Sequence, residues 1–507
     1  MAPLESIPEQ IVPPESMTPQ ATPNLGPPLT LDQLEALGRS KVIIAGAGLA
    51  GLTLGILLQK ANIPFHVFEK SREFKPLGAA IVLGSSVAPL YHQLSIFDEF
   101  VARAKRYTGM GMYTENLKLV HTMDNTPIEK ALQYQEYVIS RTDLHDLLLS
   151  HVPKERIHMG KRIESFDQSK ENITVRFTDD TTYQGDILVG ADGAYSAVRR
   201  HMYQALKEKS TLPTTDEQPL PFDCVCLVGQ TTELDPEEFP EVNVVDVPFN
   251  SVLGGERSRC TWTVFITKQK KVCWMVIKFL RKDELAASEV YRSRDWGADA
   301  AEAMCKEVRG FKVPGGKSGQ QTLGDYIDRT PKECIGKVRL EEIVFETWFN
   351  GRAVLIGDAC HKMGPASGIG TLVAMHDAVT LANWISTLQM PAISDLEHVF
   401  NEYRAERYPI AKEALKRSQF FTKAIGRYAL TNIIRGVLKK MPGWLWRRTL
   451  LKMCGQRPQA SFLPLITEPG KVKAQSQPSM KKTRAIHREL ANAREEAEIQ
   501  ATIVVTI

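Results

Sequence analysis

The pattern of apolar and polar positions divides the chain into three kinds of segment. Up to about residue 200, short apolar runs alternate with stretches of helical period, which predicts strands and helices in βαβ order. Between about 220 and 346, short alternating runs predict a strand-rich region. A strand, a glycine-rich loop and long helical stretches follow. The pattern therefore predicts an α/β fold with an interleaved, mainly β domain and a helical C-terminal region.

The two ends of the chain differ from its middle. Residues 1–28 contain eight prolines and almost no apolar periodicity, so they cannot bury enough surface to offset chain entropy. The C-terminal end is polar and charge-rich, with a helical pattern around 484–498. The predicted division is a disordered proline-rich tail at 1–38, a nucleotide-binding domain at 39–200 and 346–425, a mainly β domain at 201–345, a basic helical region at 426–470 and a polar tail at 471–507.

The first candidate site is the segment "KVIIAGAGLAGLTLGILLQKANIPFHVFEK". It predicts a buried strand at 41–45, a helix at 49–60 and a second strand at 65–68. Between the first strand and the helix, Gly46, Gly48 and Gly51 give the spacing GxGxxG, which allows a tight turn, close approach of a pyrophosphate and close helix packing. The helix N-terminus would face the phosphates, and Glu69 would accept hydrogen bonds from a ribose diol. The segment predicts a dinucleotide site.

Two further segments have the same arrangement of a buried strand that ends in an aspartate. In "DILVGADGAYSAVRR" the strand at 187–191 is followed by Asp192, and Ser196 is placed to cap the next helix. In "LIGDACHKMGPASGIGT" the strand at 353–356 is followed by Asp358 and by a glycine-rich loop that leads into a helix at 371–385.

Composition limits the classes of function. The chain has 507 residues, a net charge of +4 and 43% apolar residues, without a run approaching the roughly 20 apolar residues of a membrane span. Its eight cysteines form no CxxC pair, and no secretory leader precedes the first strand, which predicts reduced thiols in the cytoplasm. Cys224 and Cys226 lack further ligands at metal-binding spacing. We expect no metal and no nucleic-acid partner.

Taken together, the GxGxxG, GADG and GD segments resemble, in order and spacing, the flavin-dependent aromatic hydroxylases, the single-component FAD monooxygenases. The resemblance covers about residues 41–385, and the spelling GDxxHKM is most similar to fungal enzymes that oxidise terpenoid secondary metabolites. It implies a Rossmann-like domain with non-covalent FAD, whose ribityl chain would be bound by Asp358. Pro365 and Gly368 match the family's loop that passes the flavin. The candidate cofactor-binding residues are Gly46, Gly48, Gly51, Glu69, Val82, Arg141, Asp192, Asp358, Gly370 and Thr371.

The sequence departs from the family in this loop. The family usually has GQGxN after the proline, whereas Ile369 and Leu372 stand here for the glutamine and the asparagine. The side-chain contacts of those two residues must be missing or replaced, although backbone and helix end can still bind the flavin. His361 is either an acid–base group or a fixed loop residue, and the second interpretation is favoured.

The middle of the chain is expected to bind the substrate. Two alternating strands around a polar turn, at 260–280, could cover the flavin with one face. A shift of one residue in the strand register would move every side chain to the opposite face. Each large side chain could therefore either pack in the core or contact the substrate. These side chains are Trp262, Phe265, Trp274 and Met275.

The family resemblance also implies the chemistry. NADPH or NADH would bind transiently and reduce the flavin, O2 would add at C4a, and the hydroperoxide would oxygenate a lipophilic organic substrate. No catalytic acid or base is assigned. The alternatives are another FAD oxidoreductase, a reductase or halogenase, and a non-catalytic flavin- or lipid-binding protein. The stretch "GWLWRR" at 443–448 only partly matches the halogenase tryptophan motif.

A basic stretch at 414–467 contains eleven Lys and Arg residues and no Asp or Glu, so the rest of the chain is net negative. Aliphatic residues and tryptophans are interleaved with these cations. Two interpretations remain: a helix pair packed on the nucleotide-binding domain or on a partner subunit, or peripheral contact with an anionic membrane.

Overall fold

The computed structural model describes residues 40–74, 80–254, 258–281, 284, 298–317, 319, 321–364, 368–389, 391–425, 442, 445, 448, 451–452 and 454–506. The predicted tail at 1–38 lies outside these residues. The strands are β1 Val42–Ala45, β2 Phe65–Glu69, β3 Ala80–Leu83, β4 Lys105–Thr114, β5 Leu119–Asp124, β6 Tyr137–Ser140, β7 Ile157–Met159, β8 Ile163–Gln168, β9 Ile173–Phe177, β10 Thr182–Gly185, β11 Ile187–Gly190, β12 Phe222–Gln230, β13 Val247–Leu253, β14 Cys260–Ile266, β15 Val272–Phe279, β16 Gly336–Glu341, β17 Ile343–Val344, β18 Phe349–Asn350, β19 Ala353–Leu355 and β20 His361–Lys362. The helices are α1 Leu49–Lys60, α2 Ala88–Leu94, α3 Phe97–Arg103, α4 Thr126–Leu132, α5 Arg141–Ser150, α6 Ala197–Glu208, α7 Ala298–Val308, α8 Leu323–Ile327, α9 Gly370–Ile385, α10 Ile393–Ile425 and α11 Pro478–Thr506.

The first sheet has six strands in the order β18-β19-β11-β1-β2-β7. All neighbouring strands are parallel except β18 and β19. Every residue of β1 and β11 is buried, as expected of parallel strands covered on both faces. Helices α1 and α9 pack on each other beside this sheet. The three predicted motifs all lie at strand ends of this sheet, so the predicted Rossmann-like α/β domain is confirmed.

The second sheet corrects the predicted domain boundaries. Its path is β16-β12-β15-β14-β13-β4-β6-β3, with β5 paired to β4. The strands β3 to β6 come from residues that the sequence assigned to the nucleotide-binding domain at 39–200. The long pairing of β4 with β13 is parallel and joins two distant parts of the chain, which no local pattern encodes. The substrate-side sheet is therefore built from both sides of the boundary at 200.

The C-terminal part corrects the prediction of a polar tail at 471–507. Helix α11 starts at Pro478, and its first turns pack against α9 and α10. Ser479 and Thr483 are buried there: the Ser479 backbone N–H donates to Glu406 (2.6 Å), and the Thr483 hydroxyl donates to Ser461 (2.7 Å). Small polar residues are compatible with this packing because each one has a hydrogen-bond partner.

Most of the basic region, 426–441, lies outside the described residues, as do Trp444, Trp446 and Arg447. Among the cations that the structure describes, Arg417 and Lys452 pair with Glu413, and the buried Arg457 pairs with Glu468 at 2.6 Å. In the described part of the chain, no helix has an apolar stretch long enough to cross a membrane. The choice between packing and membrane contact stays open.

Candidate functional site

The three glycines between β1 and α1 have different surroundings. Gly46 has φ +103°, its N–H donates to the Phe68 carbonyl (2.8 Å), and an added Cβ would lie 2.5 Å from the Ala191 oxygen. A Cβ on Gly51 would overlap the Gly46 carbonyl oxygen. A Cβ on Gly48 would meet no described atom within 4 Å. The fold therefore needs the first and third glycines, whereas the second leaves free space at the N-terminus of α1, where a pyrophosphate fits.

Glu69 ends β2 beside this turn. Its carboxylate accepts hydrogen bonds from the backbone N–H groups of Ala47 (3.0 Å) and Ser71 (2.9 Å). The side chain is only partly buried, so it keeps accessible surface. It fixes the glycine turn, and its predicted contact with a ribose stays a prediction.

Asp192 follows β11 and lies at the N-terminus of α6. One carboxylate oxygen accepts hydrogen bonds from the N–H groups of Ala197 (2.7 Å) and Val198 (3.3 Å). The other oxygen is buried and accepts no hydrogen bond from the described residues. The predicted cap is confirmed, because the Ser196 hydroxyl accepts from the Arg199 N–H (2.9 Å). Asp192 thus combines a structural role with one oxygen still available to a ligand.

Asp358 lies in a short 3-10 turn, Gly357–Ala359, directly after β19. The residues on both sides of it are buried, whereas its own side chain is exposed. Surrounding protein nevertheless desolvates the carboxyl and raises its pKa above the ordinary value, although nearby positive groups, Lys362 before the others, oppose the rise. A side chain that is accessible and yet desolvated lies in a recess, which is a suitable place for a ligand hydroxyl.

Arg141 approaches the same recess from the second sheet, to which Val82 also belongs. Val82 in β3 pairs with Val138 in β6, and Ser140 at the end of β6 caps α5, whose first residue is the exposed Arg141. The guanidinium is close enough to Asp358 to lower the pKa of that carboxyl. The structure therefore brings Arg141 and Asp358 together, although they are far apart in sequence. Residues 75–79, directly before β3, lie outside the described residues.

Helix α9 begins at Gly370 and Thr371, and Pro365 lies outside the described residues. The preceding Gly368 has φ +64°. The helix has no side-chain cap and no acid in its first turn, so its positive end is not neutralised locally. Ile369 and Leu372 are half-buried and pack on the main core. Apolar packing thus takes the place of the polar contacts that the family's glutamine and asparagine would make.

His361 is fixed by its partners, as the sequence favoured, although it lies in the short strand β20 rather than in a loop. It is buried, and its Nε2 lies 2.5 Å from an oxygen of Asp377 in α9. Cys360, His361 and Asp377 present three potential metal ligands within 4.8 Å of one another. However, Asp377 is also bound by Arg407 (2.8 Å), and burial raises the pKa of the Cys360 thiol well above its usual range. A buried guanidinium and a protonated thiol do not favour a cation here.

The sequence missed two sets of charged residues beside the recess, because their partners are distant along the chain. Arg199 in α6 donates to the carbonyl oxygens of Ala359 (2.7 Å) and Ala194 (2.6 Å), so it joins the GADG and GD segments. Glu341 at the end of β16 accepts from Tyr195 (2.5 Å) and from Lys362 (2.6 Å). These contacts join the second sheet to both motif loops.

The two faces of the second sheet separate the four large side chains into two pairs. Trp262 and Trp274 lie on one face, under α7 and α8, where their indole N–H groups donate to the Lys312 carbonyl (2.9 Å) and the Thr330 hydroxyl (3.0 Å). Phe265 and Met275 lie on the other face. We call this other face the inner face; its apolar residues are Tyr107, Val138, Cys224, Cys226, Phe265, Cys273, Met275, Ile277, Phe279 and Leu340, with Ala80, Val82, Val228 and Phe249 partly buried against them.

The inner face is turned towards the cofactor segments. It includes Val82, and Gln230 at its edge accepts a hydrogen bond from the Thr142 hydroxyl (3.4 Å), next to Arg141. The fold and these features define a flavoprotein in which an apolar sheet face lies beside a dinucleotide site.

Comparison with known proteins gives the family. Residues 39–225 and 317–418 match the FAD binding domain family, and the chain belongs to it. Its relatives include the FAD-dependent monooxygenases ptmM of Penicillium ochrochloron (29% identical, 78% of this chain and 91% of the relative) and penM of Penicillium crustosum (28% identical, 78% and 81%). The resemblance to fungal flavin-dependent monooxygenases is therefore confirmed.

Solved structures agree in fold. Klebsiella pneumoniae HpxO, in a crystal structure with FAD and uric acid, aligns with a TM-score of 0.63 at 19% identity, covering 82% of this chain and 96% of that one. At this identity the likeness shows the fold alone. The space at Gly48, the free oxygen of Asp192 and the recess at Asp358 all fit FAD.

Proposed function

We propose that this FAD-dependent monooxygenase takes electrons from NADPH or NADH and inserts one oxygen atom of O2 into a lipophilic small organic substrate. The observation that carries the proposal is the apolar inner face, which includes Val82 and lies next to Arg141 through the hydrogen bond of Thr142 to Gln230. Aromatic and sulphur-containing side chains dominate this face. Burial raises the pKa of the Cys226 thiol to about 12, so this thiol is a neutral, apolar group at physiological pH.

Bound FAD would supply the redox and oxygen chemistry. The protein's residues would hold and shield it. The N-terminus of α1 and Asp358 would bind the phosphates and the ribityl chain, and the N-terminus of α9 would stabilise negative charge on the ring. The inner face would orient the substrate and exclude water, which favours oxygen transfer over loss of reduced oxygen as peroxide.

The experiment measures reductant use and product together. Purified holoenzyme is incubated with lipophilic metabolite extracts and NADPH or NADH, and products are searched for a mass gain of one oxygen atom. Substrate-stimulated NADPH oxidation with that mass gain is expected. Reductant use without an oxygenated product would favour a reductase, and negligible turnover would favour a non-catalytic flavin- or lipid-binding protein.

Two matched substitutions test the inner face. Met275→Gln places a polar group of similar size on this face, whereas Met304→Gln makes the same change in the core on the opposite side, where Met304 of α7 is buried. We expect Met275→Gln to raise KM and peroxide release while FAD binding is retained. Met304→Gln should lower stability only. Equal uncoupling in both variants would contradict the assignment of the inner face to the substrate.

A further inference from the structure

A single buried carboxylate holds both ends of the turn that carries Asp358. Asp377 in α9 is fully buried. One of its oxygens accepts from the Gly357 backbone N–H (3.1 Å) and lies 2.5 Å from His361 Nε2. Gly357 directly precedes Asp358, and His361 lies three residues after it, at the start of β20. The backbone on both sides of Asp358 is therefore fixed by one group on a neighbouring helix.

Arg407 in α10 holds this carboxylate in place. Its Nε donates to the second oxygen of Asp377 (2.8 Å), and a terminal nitrogen donates to the Val373 carbonyl (3.1 Å) on the same helix as Asp377. Burial alone would raise the pKa of Asp377, but the charges of His361 and Arg407 lower it below its ordinary value. The carboxylate therefore stays ionised and can accept all three hydrogen bonds.

The geometry separates the part that can touch a ligand from the part that cannot. Asp358 is exposed in the recess, whereas Asp377, His361 and Arg407 are all buried. Gly357 has φ +59°, a conformation available to a flexible glycine among many others, so the turn needs outside contacts to stay in one state. Any freedom of Asp358 would have to be lost when a ligand binds, which lowers affinity.

We propose that Asp377, braced by Arg407, is a positioning residue for FAD that acts by fixing Asp358 in its binding conformation. The inference rests on the proposed contact of Asp358 with the cofactor. It differs from a purely structural role in one respect: the effect of Asp377 on FAD affinity must pass through Asp358.

A double-mutant cycle measures this coupling. FAD is titrated into apoprotein by fluorescence quenching for the wild type, Asp377→Asn, Asp358→Ala and the double variant. We expect Asp377→Asn to weaken FAD binding about tenfold in the wild-type background and less than about twofold in the Asp358→Ala background. The control is Glu402→Gln, which removes an exposed ion pair of α10 with Lys482 (2.7 Å) and should leave FAD affinity unchanged.

Substitutions of His361 cover the case in which Asp377→Asn does not fold. His361→Gln keeps an N–H donor near the Nε2 position and should retain most of the affinity. His361→Leu removes the donor and should weaken binding, again only while Asp358 is present. If the position needed only a side chain of sufficient volume, His361→Gln and His361→Leu would bind FAD equally well.

The outcomes distinguish the positioning role of Asp377 from the contact of Asp358 with FAD. Equal losses in both backgrounds would overturn the positioning role and leave the contact of Asp358 intact. Unchanged FAD affinity in Asp358→Ala would remove that contact and the inference with it, without affecting the monooxygenase function, which is tested by product formation. Unchanged affinity in both Asp377→Asn and His361→Leu would also overturn the inference.

Discussion

Two glycines of the first motif, Gly48 and Gly51, give a test in which the same substitution to alanine has different consequences. At Gly48 the backbone is extended, with φ −75°, and an added Cβ meets no described atom within 4 Å. Alanine can adopt that conformation, and it reduces the freedom of the unfolded chain, which stabilises by roughly 0.4–1 kcal/mol. Alanine is a clearly poorer N-cap than glycine, and this loss offsets the gain. The stability of the Gly48→Ala apoprotein should therefore lie within about 1 kcal/mol of the wild type.

Gly51→Ala should behave differently. Its Cβ would overlap the carbonyl oxygen of Gly46. Because that oxygen belongs to the backbone and cannot turn aside as a flexible side chain can, α1 must move away from β1. Overpacking of this kind typically costs about 1–3 kcal/mol. The same magnitude applies to Gly48→Ala only when FAD is bound, because the methyl group then lies where the pyrophosphate would sit. FAD affinity should fall roughly 5- to 150-fold.

Two measurements separate these effects. Urea denaturation of the apoproteins gives the free energy of unfolding, and fluorescence titration gives the FAD dissociation constant. We expect normal stability with weak FAD binding for Gly48→Ala, and reduced stability for Gly51→Ala. Wild-type FAD affinity in Gly48→Ala would refute the assignment of this turn to the pyrophosphate. If Gly48→Ala lost as much apoprotein stability as Gly51→Ala, the open space found beside Gly48 would be refuted.

Further predictions concern the cofactor, pH and membranes. The purified protein should be yellow with non-covalent FAD. Asp358→Ala should remove a charge-assisted hydrogen bond worth roughly 1.5–3 kcal/mol of FAD affinity, and Glu69→Ala should cause a smaller loss. Unchanged FAD retention after dialysis in both variants would contradict the assignment of these residues to the cofactor site. Burial raises the pKa of Glu136 from 4.5 to about 7, so the folded state holds this proton more tightly than the unfolded state does. The free energy of unfolding should then fall as pH rises from about 4.5 to 7, and Glu136→Gln should remove that component; denaturation curves with the same pH dependence in both proteins would argue against it. If the basic region docks on membranes, the protein should co-sediment with anionic liposomes at low salt, and equal recovery with neutral liposomes would rule this out. Liposome binding should be lost at high salt, and it should be lost when Trp444, Trp446, Arg447 and Arg448 are replaced together. Of these four residues, the structure describes Arg448.

The sequence by itself determined the nucleotide-binding part of this protein. Each of the three motifs combines a short buried strand with a turn or a helix start, and all of these features depend on residues close together in the chain. The cap at Ser196 and the glycine turn at Gly46 were readable for this reason. The fixed role of His361 was also favoured correctly, although its partner was not identified.

Only the tertiary structure decided the rest. The pairing of β4 with β13 brought strands from the first part of the chain into the substrate-side sheet, and the register of β14 and β15 placed Phe265 and Met275, rather than the two tryptophans, on the inner face. The partners of Asp377 and Arg199 come from separate helices and loops, so no spacing in the sequence predicts these contacts. Local periodicity encodes strands, helices and turns, whereas strand pairing and buried ion pairs depend on contacts between distant segments that form only when the chain folds.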